Sequence, residues 1–147
     1  MTDTVVRDEQ ATVLTFLADM ADGRAEEAVA AFDENVVYTN VGLPTLRGKR
    51  RAGSVIRLLA RPGLGFGVEV TSIASDGALV LTERIDELRV GPLHVRFWVC
   101  GRFDVRDGRI VLWRDYFDNV DVFKGIVRGV LALAVPTAQR TMTPLQR

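Results

Sequence analysis

A chain of 147 residues with nineteen basic and nineteen acidic side chains carries no net charge, so no overall field draws it to nucleic acid or to an anionic membrane surface. One histidine and one cysteine, Cys100, cannot build a zinc cluster or an internal disulfide; the expectation is a reducing compartment, the cytoplasm, with no metal and no cofactor. The length suits one domain, 1–147, that buries about 70% of its unfolded surface, enough for a core and an enclosed pocket.

The opening segment, MTDTVVRDEQ, has acids where a secretory signal has a long apolar run, so nothing in it marks the chain for export. Over 9–21 the residues Val13, Leu14, Phe16, Leu17 and Met20 recur at helical spacing, and Gly23 supplies a stop. RAEEAVAAFD continues as a second short helix. NVVYTNV is β-branched and aromatic and predicts a strand that turns at Gly42 and Pro44. A third helix is predicted over about 49–60, its basic stretch RGKRRAG read as a solvated helix start rather than a phosphate site. After RPGLGFG come four predicted strands, 68–74, 78–88, 93–105 and 109–117, separated by SDG, VGP and RDG. Those turn signals make consecutive strands antiparallel neighbours. The last helix is predicted over about 122–135; VFKGIVRGVLALAVP is too short to span a membrane and contains Lys124 and Arg128. The polar tail 136–147 is expected to be loosely held, leaving a core of about 9–135. Helices before and after a mostly antiparallel sheet give an α+β fold.

Alternation along 78–88 places Val80, Thr82, Arg84, Asp86 and Leu88 on one face and Leu79, Leu81, Glu83, Ile85 and Glu87 on the other. Neither face is cleanly polar, which is not the pattern of a strand with one solvated side. On the next strand Val95, Phe97, Val99, Gly101 and Phe103 form an apolar side, with His94, Arg96, Trp98, Cys100 and Arg102 opposite. That apolar side faces a core or a cavity. The register of 109–117 depends on the turn at RDG. A two-residue turn at Asp107 and Gly108 sets Arg114 and Tyr116 beside Phe97, whereas a three-residue turn with a bulge sets Trp113, Asp115 and Phe117 there. Val111, Trp113 and Phe117 form the bulkier apolar set, which favours the second arrangement. Asp115 then shares a concave face with Arg84 and Asp86, two strands or roughly 10 Å away. Two buried acids and an arginine are costly unless each charge is paired, so the group is either a structural ion-pair network or a site. Cys100 is read as a small buried hydrophobe, His94 as solvated, and Trp98 as belonging to a dimer interface or lying under a helix.

YTN (Tyr38–Asn40), ERID (Glu83–Asp86) and WRDYFD (Trp113–Asp118), in this order and on this plan of helices and strands, resemble the limonene-1,2-epoxide hydrolase family over about 9–135. The resemblance implies the cone-shaped fold of nuclear transport factor 2, a curved, mostly antiparallel sheet closed by helices, which is shared with ketosteroid isomerases and polyketide cyclases. It also implies a homodimer. By the same resemblance Asp86, Arg84 and Asp115 form the catalytic set, with Asp115 as general base and Asp86 as general acid, while Tyr38 and Asn40 hold the water. The activity implied is one-step addition of water to a small lipophilic epoxide, giving a vicinal diol without a covalent intermediate. Val80, Leu88, Phe97, Val99, Trp113 and Phe117 are expected to line the substrate pocket, with the loop 61–67 and the last helix at its border. Competing readings on the same fold are a ketosteroid isomerase-like or cyclase enzyme, whose chemistry needs no held water, and a non-catalytic binder of small molecules.

Overall fold

The heptad-like run of apolar residues near the start of the chain folds as α1 (Thr2–Ala21), and Val13, Phe16, Leu17 and Met20 form its buried side. The computed structural model describes the backbone of residues 2–145 and the side chains of residues 8–145. After α1 come α2 (Ala25–Ala30), β1 (Phe32–Asn40), β2 (Leu46–Arg47), α3 (Lys49–Leu59), β3 (Leu64–Asp76), β4 (Leu79–Val90), β5 (Leu93–Arg106), β6 (Arg109–Phe117), α4 (Asn119–Ala132) and a 3-10 turn, Pro136–Ala138. The strands make one curved sheet in the order β2-β1-β6-β5-β4-β3. Only β1 and β6 run parallel, so the fold is α+β as expected from the element order.

One face of the sheet is closed by the first three helices. Val13, Phe16 and Leu17 of α1, Val29 of α2 and Ile56 of α3 join Val68, Val80, Phe103 and Trp113 of the sheet in one buried cluster. Phe16 stands edge-on to Trp113 with ring centres 5.0 Å apart, and Phe103 stacks on the same indole at 5.7 Å. Burial on this scale, about 25 cal/mol per Å² of apolar surface, supplies the main driving force of the fold.

Two ladder irregularities bend the sheet. Val70 pairs with Arg84 but Ser72 with Glu83, which leaves Thr71 as an extra residue in β3. Asp104 pairs with Leu112 but Val105 with Ile110, which leaves Val111 extra in β6. Each bulge increases local twist and redirects the side chains beyond it. The second one settles which face Asp115 occupies, by a route the sequence reading did not take. The turn at RDG has only two residues, Asp107 and Gly108, both at positive φ, and the face is switched at Val111 instead. Trp113, Asp115 and Phe117 consequently pair with Phe103, Gly101 and Val99.

Other departures have local causes. β3 begins at Leu64, within a stretch read as loop, because Gly65 leaves room for Arg89 and Gly67 for Glu87 of the neighbouring strand: a Cβ on Gly65 would lie 2.6 Å from Arg89 Nε, and one on Gly67 3.3 Å from Glu87 Oε1. Arg89 Nη2 then donates to the Phe66 carbonyl at 3.0 Å. The last helix starts at Asn119, three residues early, because Asp118 caps it, accepting from the amides of Val120 and Asp121. The tail, expected to be loosely held, is fastened: Gln139 Nε2 donates to the His94 carbonyl, Thr143 N to Glu69 Oε2, and Leu145 N to the Val68 carbonyl. Gln146 and Arg147 of that tail lie outside the described residues. Among the described residues no helix is long and apolar enough to cross a membrane.

Candidate active site

Pairing across β4, β5 and β6 determines which polar side chains meet. Arg84 stands opposite Val99, Thr82 opposite Gly101, and Gly101 opposite Asp115. Arg84, fully buried, grips Asp86 with two bonds, Nε to Oδ1 at 3.0 Å and Nη2 to Oδ2 at 2.9 Å. The same Nη2 reaches across β5 to Asp115 Oδ2, also at 2.9 Å. Nη1 donates to Thr82 Oγ1 at 3.3 Å. One nitrogen thus ties two carboxylates from different strands, and brings them closer than the strands that carry them. Trp113 Nε1 donates to Asp115 Oδ1 at 2.8 Å. On the parallel neighbour β1, Asn40 pairs with Asp115 and Tyr38 with Trp113, and Asn40 Nδ2 donates to Tyr38 Oη at 2.8 Å. All five polar residues picked out by the motifs, Tyr38, Asn40, Arg84, Asp86 and Asp115, therefore gather on one face.

With everything ionised, two carboxylates around one guanidinium carry a net negative charge in a site almost closed to water, a state that favours taking up one shared proton. Burial pushes the Asp115 carboxyl above the ordinary aspartate range; the Arg84 charge pulls it back and the Asp86 charge pushes it further up. Burial works against the charge on Arg84, but the facing charges of Asp115 and Asp86 outweigh it and keep the guanidinium firmly protonated. Burial and the Asp115 charge also hold the Tyr38 phenol protonated well beyond its usual range. Its Oη is a neutral hydroxyl that accepts from Asn40 and carries a proton it can donate.

The Trp113 bond is stronger to the ionised form of Asp115 and pulls its proton affinity down. Trp113→Phe keeps an aromatic ring, though a smaller one, among Phe16, Phe32, Tyr38 and Phe103 and removes the donor, so the proton affinity of Asp115 rises further. A hydrogen bond to a charged group is worth about 1.5–3 kcal/mol, which corresponds to about one pH unit or more. The acid limb of the kcat/KM profile for the reaction proposed below is expected to move up in pH by that amount, read from initial rates between pH 5 and 8. An unmoved limb would show that the indole bond does not reach the chemistry.

Apolar residues flank the charged group on two sides. Leu88, Phe97, Val99 and Phe117, expected in the pocket wall, cluster with Val95, Leu93 and Val122 toward α4. Val80 and Trp113, expected in the same wall, are instead packed into the main core beside Phe16 and Phe103, and Trp113 meets the site through its N–H. That donor and the Thr82 hydroxyl escaped the sequence reading, although both residues alternate onto the correct face. On the opposite side of the sheet Cys100 is exposed rather than buried. His94 has a partner after all, Nδ1 lying 3.2 Å from Glu87 Oε2. Trp98 is exposed, with the Arg140 guanidinium 5.0 Å over its ring. Among the described residues no group of three or more His, Cys, Asp and Glu side chains is arranged to hold a metal ion.

A buried acid–arginine–acid bridge with a tyrosine–asparagine pair beside it, set in the hollow of a curved α+β sheet, is an arrangement able to hold and exchange a proton. Residues 7–128 match the model of the limonene-1,2-epoxide hydrolase catalytic domain. Epoxide hydrolase EphG of Mycobacterium tuberculosis (strain ATCC 25618 / H37Rv) is 48% identical over 130 residues, 88% of this chain and 87% of that protein. The solved structure of an M. tuberculosis LEH-like epoxide hydrolase superposes with a TM-score of 0.88 at 45% identity, covering 93% of this chain and 97% of that one. A putative ketosteroid isomerase from Kribbella flavida DSM 17836, at 18% identity and TM-score 0.65 over 78% of this chain and 80% of its own, shares the fold alone. The chain belongs to the limonene-1,2-epoxide hydrolase family. It is an epoxide hydrolase of that type, acting on a small epoxide.

Proposed function

We propose that this chain adds water to a lipophilic epoxide in a single step, with Asp115 as general base and Asp86 as general acid. The observation that carries the reading is the Arg84 nitrogen shared by two buried carboxylates, one of which, Asp115, lies next to the Asn40–Tyr38 pair. A water held by Tyr38 Oη and the Asn40 side chain gives a proton to Asp115 as its oxygen bonds to one epoxide carbon. The carbon–oxygen bond at that centre breaks, and the departing ring oxygen takes a proton from Asp86. The product is the vicinal diol, inverted at the attacked carbon. In net terms one proton moves from Asp86 to Asp115, and it returns between turnovers. The high proton affinity of Asp115 favours the abstraction step, and Arg84 keeps whichever carboxylate is ionised from standing as a bare charge. The apolar cluster of Leu88, Val95, Phe97, Val99, Phe117 and Val122 supports a hydrocarbon-rich substrate. A panel of epoxides of increasing size, scored for chiral diol, tests the reading: inversion at one carbon is expected, and retention would contradict it.

The reading includes a homodimer formed through the uncovered face of the sheet. Leu81, Trp98 and Tyr116 there are 49%, 57% and 45% exposed; Leu81 and Tyr116 border one groove with Cys100, and Trp98 and Tyr116 border the adjoining one. A contiguous apolar patch of this kind marks an association surface, and two-fold self-pairing is the commonest way to cover one. Sedimentation is expected to give twice the 16.2 kDa chain mass and Trp98→Glu to give the monomer. A wild-type monomer at micromolar concentration would contradict this.

A further inference from the structure

Gly101 is interior to β5, where glycine weakens a strand, yet its backbone does not require one, because it is not among the glycines at positive φ. The reason lies above its Cα. A Cβ at this position would stand 2.3 Å from Arg84 Nη1, 2.8 Å from Asp115 Oδ1 and 2.9 Å from Thr82 Oγ1. Thr82 and Asp115 are its cross-strand neighbours on either side, so Gly101 is the point at which the Arg84 side chain, rooted on β4, passes over β5 to reach β6. The guanidinium has little freedom to step aside. It is fully buried, clamped to Asp86 by two bonds, and bordered by the Phe103 ring at 5.9 Å.

From this geometry we infer that Gly101 is a positioning residue for epoxide opening: its missing side chain is the slot through which Arg84 reaches Asp115, and the Thr82 hydroxyl is the latch that holds Nη1 in it. The Thr82 Oγ1 donates in turn to the Gly101 carbonyl at 3.4 Å, tying latch to slot. A methyl group at 101 pushes the guanidinium back toward β4. Its bonds to Asp86, on the same strand, survive, while the bond to Asp115 is lost. The two carboxylates are thereby uncoupled without removal of any charged group, and Asp115 loses the cation that favours its ionised form.

The inference rests on the roles proposed above for Arg84 and Asp115, and the test separates the two. For Gly101→Ala, kcat is expected to fall about 100-fold, the cost of displacing a catalytic group by about 1 Å, with KM changed much less and the acid limb of the pH profile moved upward. The carbon-13 titration of the Asp115 carboxyl, which needs no turnover, is expected to move up as well. In an Arg84→Met background the same substitution is expected to cost much less, leaving only the direct crowding of Asp115 Oδ1 and Thr82 Oγ1, since the tightest contact and the larger part of the effect run through Arg84. Thr82→Val, which keeps the side-chain shape and removes the latch, provides a second reading if Gly101→Ala does not fold: a smaller drop in kcat, about tenfold, with the same direction of titration shift. An unmoved Asp115 titration in the folded Gly101→Ala or Thr82→Val protein would overturn the inference, as would an undiminished Gly101→Ala effect in the Arg84→Met background. A wild-type chain that hydrolyses no epoxide would instead remove the catalytic roles and leave the titration result standing.

Discussion

Asp115→Asn is expected to lower kcat for diol formation by about 10³-fold, within the range typical of a lost general base, while the protein stays folded. The amide is nearly isosteric, and its oxygen accepts from Arg84 Nη2 as the carboxylate does, while its NH2 replaces the oxygen that accepts from Trp113 Nε1, so that bond is lost. The substitution also leaves Arg84 and Asp86 as a neutral, doubly bonded pair, and removes the surplus negative charge from a site closed to water. The relief of charge offsets the lost Trp113 bond, and the melting temperature is expected to stay close to the wild-type value. Loss of activity and loss of stability thus separate in this variant, and thermal melts beside steady-state rates read both. A folded Asp115→Asn enzyme with near-normal turnover would remove Asp115 from the base role. Asp86→Asn is expected to lose activity likewise, because its amide cannot supply the acid proton.

Arg84→Met does the opposite and takes the cation away from two buried acids. Breaking a buried ion pair from one side costs about 3–5 kcal/mol, and Arg84 is fully buried at the centre of this group. In a chain of this size that corresponds to a fall in Tm of about 10 °C, together with loss of activity. The pH dependence of the loss is fixed in sign. Burial already raises Asp115 with Arg84 present, and Arg84 is what pulls it back, so the variant raises it further. A carboxyl whose folded-state proton affinity exceeds its unfolded value loses stability as pH rises from the ordinary aspartate range through the raised one. Arg84→Met is accordingly expected to melt higher at pH 5 than at pH 8 and to be closest to wild type in acid. A pH-independent deficit would mean that the arginine acts through packing alone.

How far this site can be read from sequence follows from which part of it obeys a local period. Arg84 and Asp86 are two residues apart on an unbroken strand, so alternation alone places them together, and the mixed character of both faces of 78–88 signals that the side is not simply solvated. Asp115 is harder. Its face is set by one extra residue, Val111, in a ladder that otherwise runs straight from the Asp107–Gly108 turn. No turn residue or glycine marks that bulge, so the correct face was reached from side-chain bulk and from the WRDYFD motif, with the wrong turn length attached. Gly65 and Gly67 illustrate the reverse problem: glycines read as loop are strand residues that make space for Arg89 and Glu87. The exposure of Cys100 is not legible in sequence, because burial of its face depends on whether helices cover both sides of the sheet, which strand periodicity does not report. The cap at Asp118 was visible as an acid before an apolar run, but its proximity to WRDYFD drew it into the motif instead of the helix.

The fold makes sense of the two bulges as site-building devices. Thr71 and Val111 bend the outer strands around β4 and β5, and the same Val111 insertion turns Asp115 inward, beside the pair on β1 that is proposed to hold the water. The buried charges are then expensive for stability and are kept ordered by strands rather than loops, which limits their freedom to move.

The proposed mechanism has water, not a carboxylate, attacking the epoxide, and a single turnover in oxygen-18 water tests this directly. With enzyme in excess over substrate, the label is expected in the first diol formed, and the Asp86 and Asp115 carboxylates are expected to remain unlabelled when peptides are weighed. An unlabelled first diol, with the heavy oxygen recovered in either carboxylate, would mean an ester intermediate and would contradict the mechanism.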